Sequence, residues 1–144
     1  MRVTSTGSVT LPVEVLNRER NQYNADYLNQ VVGESIAKLR DGSRRQLFIG
    51  IMKQDMYSES LGWNFALSMH YDNQISIVAS ERLVPNKIWD RSDAEKLFGE
   101  RIYKLLKRTI GLQYYGYPRT SDQKSILFSP MMSVDDLDGM ESQY

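Results

Sequence analysis

The spacing of apolar residues along the chain predicts an alternation of strands and helices. Residues 8–16 (SVTLPVEVL) alternate weakly between apolar and polar side chains and predict a first strand. Residues 24–42 carry apolar side chains at helical spacing, with Asn24 as the expected N-cap and Gly42 as the expected C-terminal stop. The continuous apolar run 46–52 (QLFIGIM) is typical of a strand that is covered on both faces of a sheet.

A β-hairpin is predicted next. Residues 63–71 (WNFALSMHY) and 74–84 (QISIVASERLV) are rich in strand-forming residues and flank Asp72 and Asn73, which favour turns. The second strand opens with an alternating pattern from Ile75 onward. Such alternation is typical of a strand with one solvated face, so the pattern predicts an exposed edge strand.

A long helix and an acidic tail complete the predicted order. Residues 92–95 (SDAE) form a capping-box pattern, from which an amphipathic helix runs to about Ile110. Gly111 is expected to end this helix. The remaining chain turns at Ser129–Pro130 and finishes with several acidic residues.

The order strand, helix, strand, hairpin, helix and tail predicts an α/β (α+β) fold. We expect a mixed twisted sheet with an antiparallel edge hairpin and two main helices. With 144 residues and no linker-like segment, the chain predicts a single domain over 1–144, with its core at about 9–138 and an acidic C-terminal tail.

Composition excludes several classes of function. Lys plus Arg (18) balances Asp plus Glu (18), which argues against nucleic-acid or membrane binding by bulk charge, although neutrality permits a homo-oligomer. The absence of cysteine excludes thiol catalysis and thiolate metal sites, and a single histidine is too few for a typical zinc site. We therefore expect no cofactor.

The sequence also bears on localisation. No apolar run is long enough to span a membrane, and no signal-peptide pattern opens the chain. We therefore expect a soluble protein that is cytoplasmic unless a leader has been removed.

Several phrases of the sequence resemble the archaemetzincin branch of the metzincin metalloproteases. The matching phrases are LFIGIMKQDMY (47–57), WNFALSMHY (63–71), ISIVASERL (75–83), the long helix with GLQYYG (111–116), and SILFSPMMSVDDLD (125–138). They resemble the family's second strand, its hairpin, its zinc helix and its Met-turn, in that order. The resemblance implies a zincin-like fold over roughly residues 9–138.

The family's zinc helix carries the motif H-E-x-x-H-x-x-G-x-x-H. When this motif is aligned with the present sequence, its glycine corresponds to Gly111. Lys104 then stands at the first histidine ligand and Leu105 at the glutamate that acts as general base. Arg108 takes the second ligand position and Tyr114 the third. Protonated lysine and arginine repel a dication and cannot ligate it, so the resemblance implies a pseudo-protease without zinc.

Two further features bear on this resemblance. The Met-turn methionine corresponds to Leu127 without gaps, or else to Met131 or Met132, and the family's cysteine-rich second zinc motif is absent. Lys104 and Arg108 fall on the polar side of the helix and are expected to pair with acidic residues such as Asp135 or Asp136.

The sequence supports a protein-binding or assembly module as its main functional interpretation. In active relatives the edge strand pairs with extended peptide substrate, which here implies about Gln74–Ser80. The candidate partner-binding residues are Ser76, Val78, Ser80 and the tyrosines Tyr114, Tyr115 and Tyr117.

Two alternatives remain open. The chain could be an enzyme whose chemistry has moved to other residues, with Lys104 and Arg108 binding an anionic substrate. It could also be a small α/β interaction domain unrelated to metzincins, in which residues 104–116 are an ordinary amphipathic helix with a glycine stop.

Overall fold

The computed structural model describes residues 1–72 and 74–144 and has a mixed α/β fold, as predicted. Its strands and helices are β1 (Leu16–Asn17), β2 (Gln22–Asn24), α1 (Ala25–Ile36), β3 (Phe48–Met52), β4 (Asp55–Tyr57), β5 (Ser68–His70), β6 (Ile75–Ala79), α2 (Arg91–Ile110) and α3 (Val134–Gly139). No helix in the described ranges has the length and apolar character needed to cross a membrane.

The strands form two small sheets. In one, β2 lies between β1 and β4, antiparallel to β1 and parallel to β4. In the other, β6 lies between β3 and β5, parallel to β3 and antiparallel to β5. The second sheet is therefore mixed, and β5 and β3 are its edges.

The two faces of the second sheet are covered by different helices. On one face, a cluster that includes Leu28 of α1 packs against Met69 and Ile77. On the other face, a cluster that includes Leu105 of α2 packs against Val78. Alternate residues of β6 point to opposite faces, so this strand contributes Ile77 to one cluster and Val78 to the other.

The start of the chain differs from its predicted structure. Only Leu16–Asn17 of the predicted strand 8–16 is a strand, and Val13–Val15 form a short 3-10 turn. Asn24 caps α1 as predicted, because its side chain accepts a hydrogen bond from the Asp26 amide. The expected stop at Gly42 is wrong, since α1 ends six residues earlier at Ile36.

The predicted hairpin is present, but its exposed arm was assigned incorrectly. β6 is the central strand of its sheet and is buried throughout, whereas β5 is the edge. The prediction that Gln74–Ser80 is an edge strand, with Ser76, Val78 and Ser80 open to a partner, is therefore wrong. In the turn, the Asp72 carboxylate accepts the amides of Gln74 and Ile75, and Asn73 lies outside the described residues.

The apolar run 46–52 was also assigned incorrectly. It was predicted to be a strand covered on both faces, but its strand β3 lies at an edge of the sheet, and Ile51 is 59% exposed.

Both ends of α2 differ from the predicted pattern. Asp90, not Ser92, is the N-cap, and its side chain accepts from the Asp93 amide. Gly111 does not end the helix: its φ is −56°, and the chain continues through a π-helical turn to Tyr115. Gly116 ends it, with the left-handed φ of 69° that glycine adopts readily.

Gly111 is required by packing rather than by its backbone angles. A Cβ atom there would lie 2.5 Å from Cε1 of Tyr144 and 3.1 Å from Cδ2 of Leu127. We expect Gly111→Ala to lower the free energy of unfolding by about 1–2 kcal/mol through overpacking. Gly99→Ala is the matched control in the same helix, where nothing lies within 4 Å, and should raise stability by about 0.5–1 kcal/mol. Urea unfolding checks both, and equal effects of the two substitutions would contradict this assignment.

Candidate functional site

Lys104 holds α3 against α2. Its Nζ donates to the backbone carbonyls of Leu137 (3.3 Å) and Asp138 (3.2 Å). One turn earlier, Arg101 pairs with the Asp138 carboxylate through two hydrogen bonds of 2.8 and 2.6 Å. A cation near the C-terminal end of a helix is favourable for its carbonyls and its dipole. Lys104 therefore has a structural partner, but that partner is not a carboxylate as the sequence predicted.

Arg108 is a buried cation without a carboxylate partner. Its side chain is 3% exposed, and its NH1 donates to the Ile126 carbonyl at 2.8 Å. Within the described residues no acidic side chain lies within salt-bridge distance of it, so the expected pairing with Asp135 or Asp136 is wrong. Burial, with a smaller effect from the positive charge of Arg119, lowers the pKa of Arg108 to about 10. Arg108 is thus still protonated at neutral pH.

His70 lies on the edge strand β5, and its side chain points to the face of the sheet that α2 covers. Its Nδ1 is 2.9 Å from Oγ of Ser76, which is fully buried. Burial, followed by the positive charges of Arg119 and Arg108, lowers the pKa of His70 to about 4. The imidazole is therefore neutral at pH 7, and its environment is electropositive.

Arg119 is the exposed member of the electropositive group, which consists of Arg108 and Arg119, the two arginines whose charges act on His70. Its NH1 donates to Oγ of Ser129 at 3.2 Å. The following residue, Thr120, pairs with the 127–129 segment, because its amide donates to the Leu127 carbonyl and its carbonyl accepts from the Ser129 amide. Residues 126–129 thus connect Arg108 to Arg119. No local sequence pattern marks Arg119, and sequence analysis did not identify it.

The outer edge of β5 carries free backbone groups beside this electropositive group. The Tyr71 amide donates to the Ile75 carbonyl and the Ala79 amide to the Leu67 carbonyl, both at 3.0 Å. Odd-numbered residues of β5 therefore bond to β6, and Ser68 and His70 direct their N–H and C=O groups away from it. Among the described strands none lies along that outer edge.

The other positions that correspond to the zinc helix do not converge on one point. Leu105 is completely buried in the cluster beneath α2. Tyr114 lies in the π turn, where its ring contacts the Arg45 guanidinium (5.3 Å between the charge centre and the ring centroid) and the edge of Tyr115. Lys104, Arg108 and Tyr114 thus have three separate sets of partners.

The predicted tyrosine cluster is real and has a member that sequence analysis missed. Tyr115 and Tyr117 stack with their centroids 5.4 Å apart, and Tyr144 packs edge-on against Tyr117 at 5.0 Å. Tyr144 also donates from its hydroxyl to the Lys107 carbonyl at 2.9 Å. The rings therefore hold the end of the chain on the end of α2, while Tyr115 and Tyr117 stay about two-fifths exposed.

The Met-turn candidates occupy different surroundings. Leu127 packs beside Gly111, Met131 lies against the cluster under α2, and Met132 is 70% exposed. Ser133 begins α3 with a capping box that uses Asp136, so the acidic segment forms a short capped helix.

The residues of this region do not fit a zinc ion. Residues 1–72 and 74–144 contain no group of three or more His, Asp or Glu side chains placed to hold a metal. The charged groups of Lys104 and Arg108 donate hydrogen bonds to backbone carbonyls. A protonated amine or guanidinium also has no lone pair to donate to a metal. No mechanistic step through a metal can be derived from this set of side chains.

Comparison with known proteins identifies the fold. No family model and no curated protein matches the chain. Two solved structures are similar to it. Archaemetzincin from Methanopyrus kandleri has a TM-score of 0.70 at 20% identity, covering 94% of this chain and 67% of its own. A zinc-dependent peptidase from Methanocorpusculum labreanum has a TM-score of 0.72 at 19% identity, covering 93% of this chain and 76% of its own. The chain therefore has a metzincin-like fold, similar to the folds of these two archaeal proteins.

Proposed function

We propose that this chain is a catalytically inactive protein with a metzincin-like fold that binds an extended segment of a partner protein along the outer edge of β5. The observation that carries the proposal is the free edge of β5 at Ser68 and His70, beside α2. An extended peptide can add a strand to such an edge through main-chain hydrogen bonds, and this mode of binding needs no metal.

Loss of catalysis is the second part of the proposal. The fold resembles those of zinc-dependent peptidases, yet at the positions that correspond to their motif this sequence has Lys104, Leu105, Arg108 and Tyr114. A metzincin-type reaction needs a metal to polarise the scissile carbonyl and a carboxylate to take a proton from water. Lysine, leucine and arginine supply neither group, so we propose that the scaffold has been kept for binding alone.

The alternative enzyme with an anionic substrate held by both Lys104 and Arg108 is less well supported. The Lys104 ammonium is directed at the carbonyls of α3, whereas Arg108 is directed at Ile126. The likeness of fold to archaemetzincin and to a zinc-dependent peptidase goes against the interpretation that the sequence resemblance is accidental.

The edge-strand proposal is tested by placing proline where the strand presents a free amide. Ser68→Pro removes an outward N–H and leaves the hydrogen bonds between β5 and β6 in place, as edge strands allow. We expect it to abolish binding of partner protein recovered by affinity purification from the source cells, with a stability loss of about 1 kcal/mol or less.

The matched control is Ile51→Pro on the opposite edge. The Phe48 amide bonds to the Gln74 carbonyl and the Ser80 amide to the Met52 carbonyl, so the Ile51 amide also points away from β6. Ile51→Pro should retain the partner that Ser68→Pro loses. Equal retention by both folded variants would show that β5 is not the binding edge.

A further inference from the structure

We propose that the segment bound at the β5 edge carries an acidic side chain, Asp or Glu, that pairs with the guanidinium of Arg108 and with Arg119. This inference rests on the proposed function, because it specifies the chemistry of the partner at the same edge.

The first support is the surroundings of Arg108, which among the described residues provide a backbone carbonyl but no carboxylate. A guanidinium has five N–H donors in a planar fork that suits a carboxylate, and within the described residues Arg108 donates one hydrogen bond, to the Ile126 carbonyl. Charged side chains are almost never fully buried unless they are paired, because removal of the charge from water is costly. In the described part of the chain no Asp or Glu lies within 4 Å of the Arg108 guanidinium. A carboxylate from outside would offset this cost.

The second support is the sign of the charge around Arg108. Arg119 is held beside the same 126–129 segment by its hydrogen bond to Ser129. His70 of β5, whose Nδ1 lies 2.9 Å from Oγ of the buried Ser76, is neutral at pH 7, because burial and then the positive charges of Arg119 and Arg108 lower its pKa. The two charges that act on His70 of the edge strand are therefore positive, which is complementary to an anion.

The third support is the geometry of strand addition. Alternate side chains of a strand point to the same face, and the His70 and Ser76 side chains face α2. A peptide that pairs with β5 would likewise direct every second side chain toward α2 and Arg108. A terminal carboxylate continues along the strand axis instead, so the geometry favours an acidic side chain over a chain terminus.

The test uses three pools of short fluorescent peptides, blocked by acetylation and built from randomised strand-forming residues. One pool has Glu at its centre with an amidated end, the second has Gln with an amidated end, and the third has Gln with a free terminal carboxylate. Fluorescence anisotropy with the full chain gives the affinity of each pool.

We expect the Glu pool to bind at least about tenfold more tightly than either Gln pool. This preference should fall to about twofold or less in Arg108→Met and in Arg119→Met, and persist in the control Lys96→Met, an exposed lysine of the same helix. Arg119 is exposed, so its variant keeps the test decisive even if Arg108→Met does not fold.

The outcomes separate failure of this inference from failure of the proposed function. Equal binding of the Glu pool and the amidated Gln pool, lost in Ser68→Pro, would overturn the acidic preference and leave edge-strand binding intact. A preference that survives both arginine substitutions would also overturn it, as would tightest binding of the pool with the free carboxylate. Glu-pool binding that depends on Arg108 but survives Ser68→Pro would support the anion site and contradict the edge-strand proposal. Absence of binding by all three pools would contradict both.

Discussion

Leu105→Ala is expected to lower the free energy of unfolding by about 3 kcal/mol, within the range of 2–5 kcal/mol for truncation of a buried leucine. Leu105 is completely buried between α2 and the sheet, where it packs with Val78, Leu83 and Leu137. The substitution removes apolar contacts and leaves a cavity that these neighbours fill only in part. Urea unfolding followed by circular dichroism measures the change.

This result bears directly on the proposed loss of catalysis, because the family resemblance places Leu105 at the position of the catalytic glutamate. A general base must reach water and substrate, so its position should tolerate truncation at small cost. The control Lys96→Ala, on the exposed face of the same helix, should change stability by no more than about 0.5 kcal/mol. A Leu105→Ala effect as small as that of the control would mean that position 105 faces an open cleft rather than the core.

The stability of the folded chain is expected to fall by about 2 kcal/mol between pH 8 and pH 5 because of His70. The folded-state pKa of His70 is about 4, below its ordinary value of 6.5, because burial and the charges of Arg119 and Arg108 disfavour imidazolium. As the pH falls below 6.5, the unfolded chain therefore binds a proton before the folded chain does. The contribution of His70 is complete above pH 6.5 and is lost as the pH falls toward 4.

His70→Asn is the control for this pH dependence. Asparagine can keep a hydrogen bond to Ser76 but does not titrate, so the stability of the variant should change little between pH 8 and pH 5. The pKa values of the Asp26 and Asp41 carboxyl groups are lowered in the folded chain, so both shifts move titration away from this pH range. The pKa of Asp26 is lowered because burial, which raises it, is outweighed by hydrogen bonds from Ser58 and Ser60, and that of Asp41 because of hydrogen bonds from Ser43. The same fall in stability in the variant and the native chain would show that His70 is not its source.

Patterns of hydrophobicity predicted the elements better than their positions in the sheet. The hairpin of β5 and β6 and the presence of α2 follow from local spacing, whereas the π-helical continuation of α2 from Gly111 to Tyr115 does not. The assignment of β6 as an edge failed because its serines look solvated in the sequence. In the structure their hydroxyls are buried and satisfied: Ser76 by His70, and Ser80 by the Met52 carbonyl at 3.2 Å. Small hydroxyl groups with a hydrogen-bond partner are accepted in a buried strand, and sequence alternation does not reveal such partners.

Two residues of α2 were misinterpreted for reasons that depend on tertiary structure. Gly111 resembles a helix stop in the sequence. In the structure its missing side chain leaves room for the side chains of Leu127 and Tyr144, which are far from it in the sequence. Arg108 was expected on the polar side of the helix from its place on the helical wheel, yet it is 3% exposed. Burial of a cation without a carboxylate is rare enough that residue type alone predicts the opposite.

Calorimetric titration of the purified, metal-free chain with zinc tests most directly whether this metzincin-like scaffold has given up its metal chemistry. Metal analysis of the protein as purified is its companion measurement. We expect no stoichiometric zinc in either measurement and no rise in the unfolding temperature on addition of zinc, because Lys104, Leu105, Arg108 and Tyr114 do not form a ligand set. One zinc ion bound per chain, with a matching rise in the unfolding temperature, would contradict the proposed loss of the zinc site and restore a peptidase as the leading function.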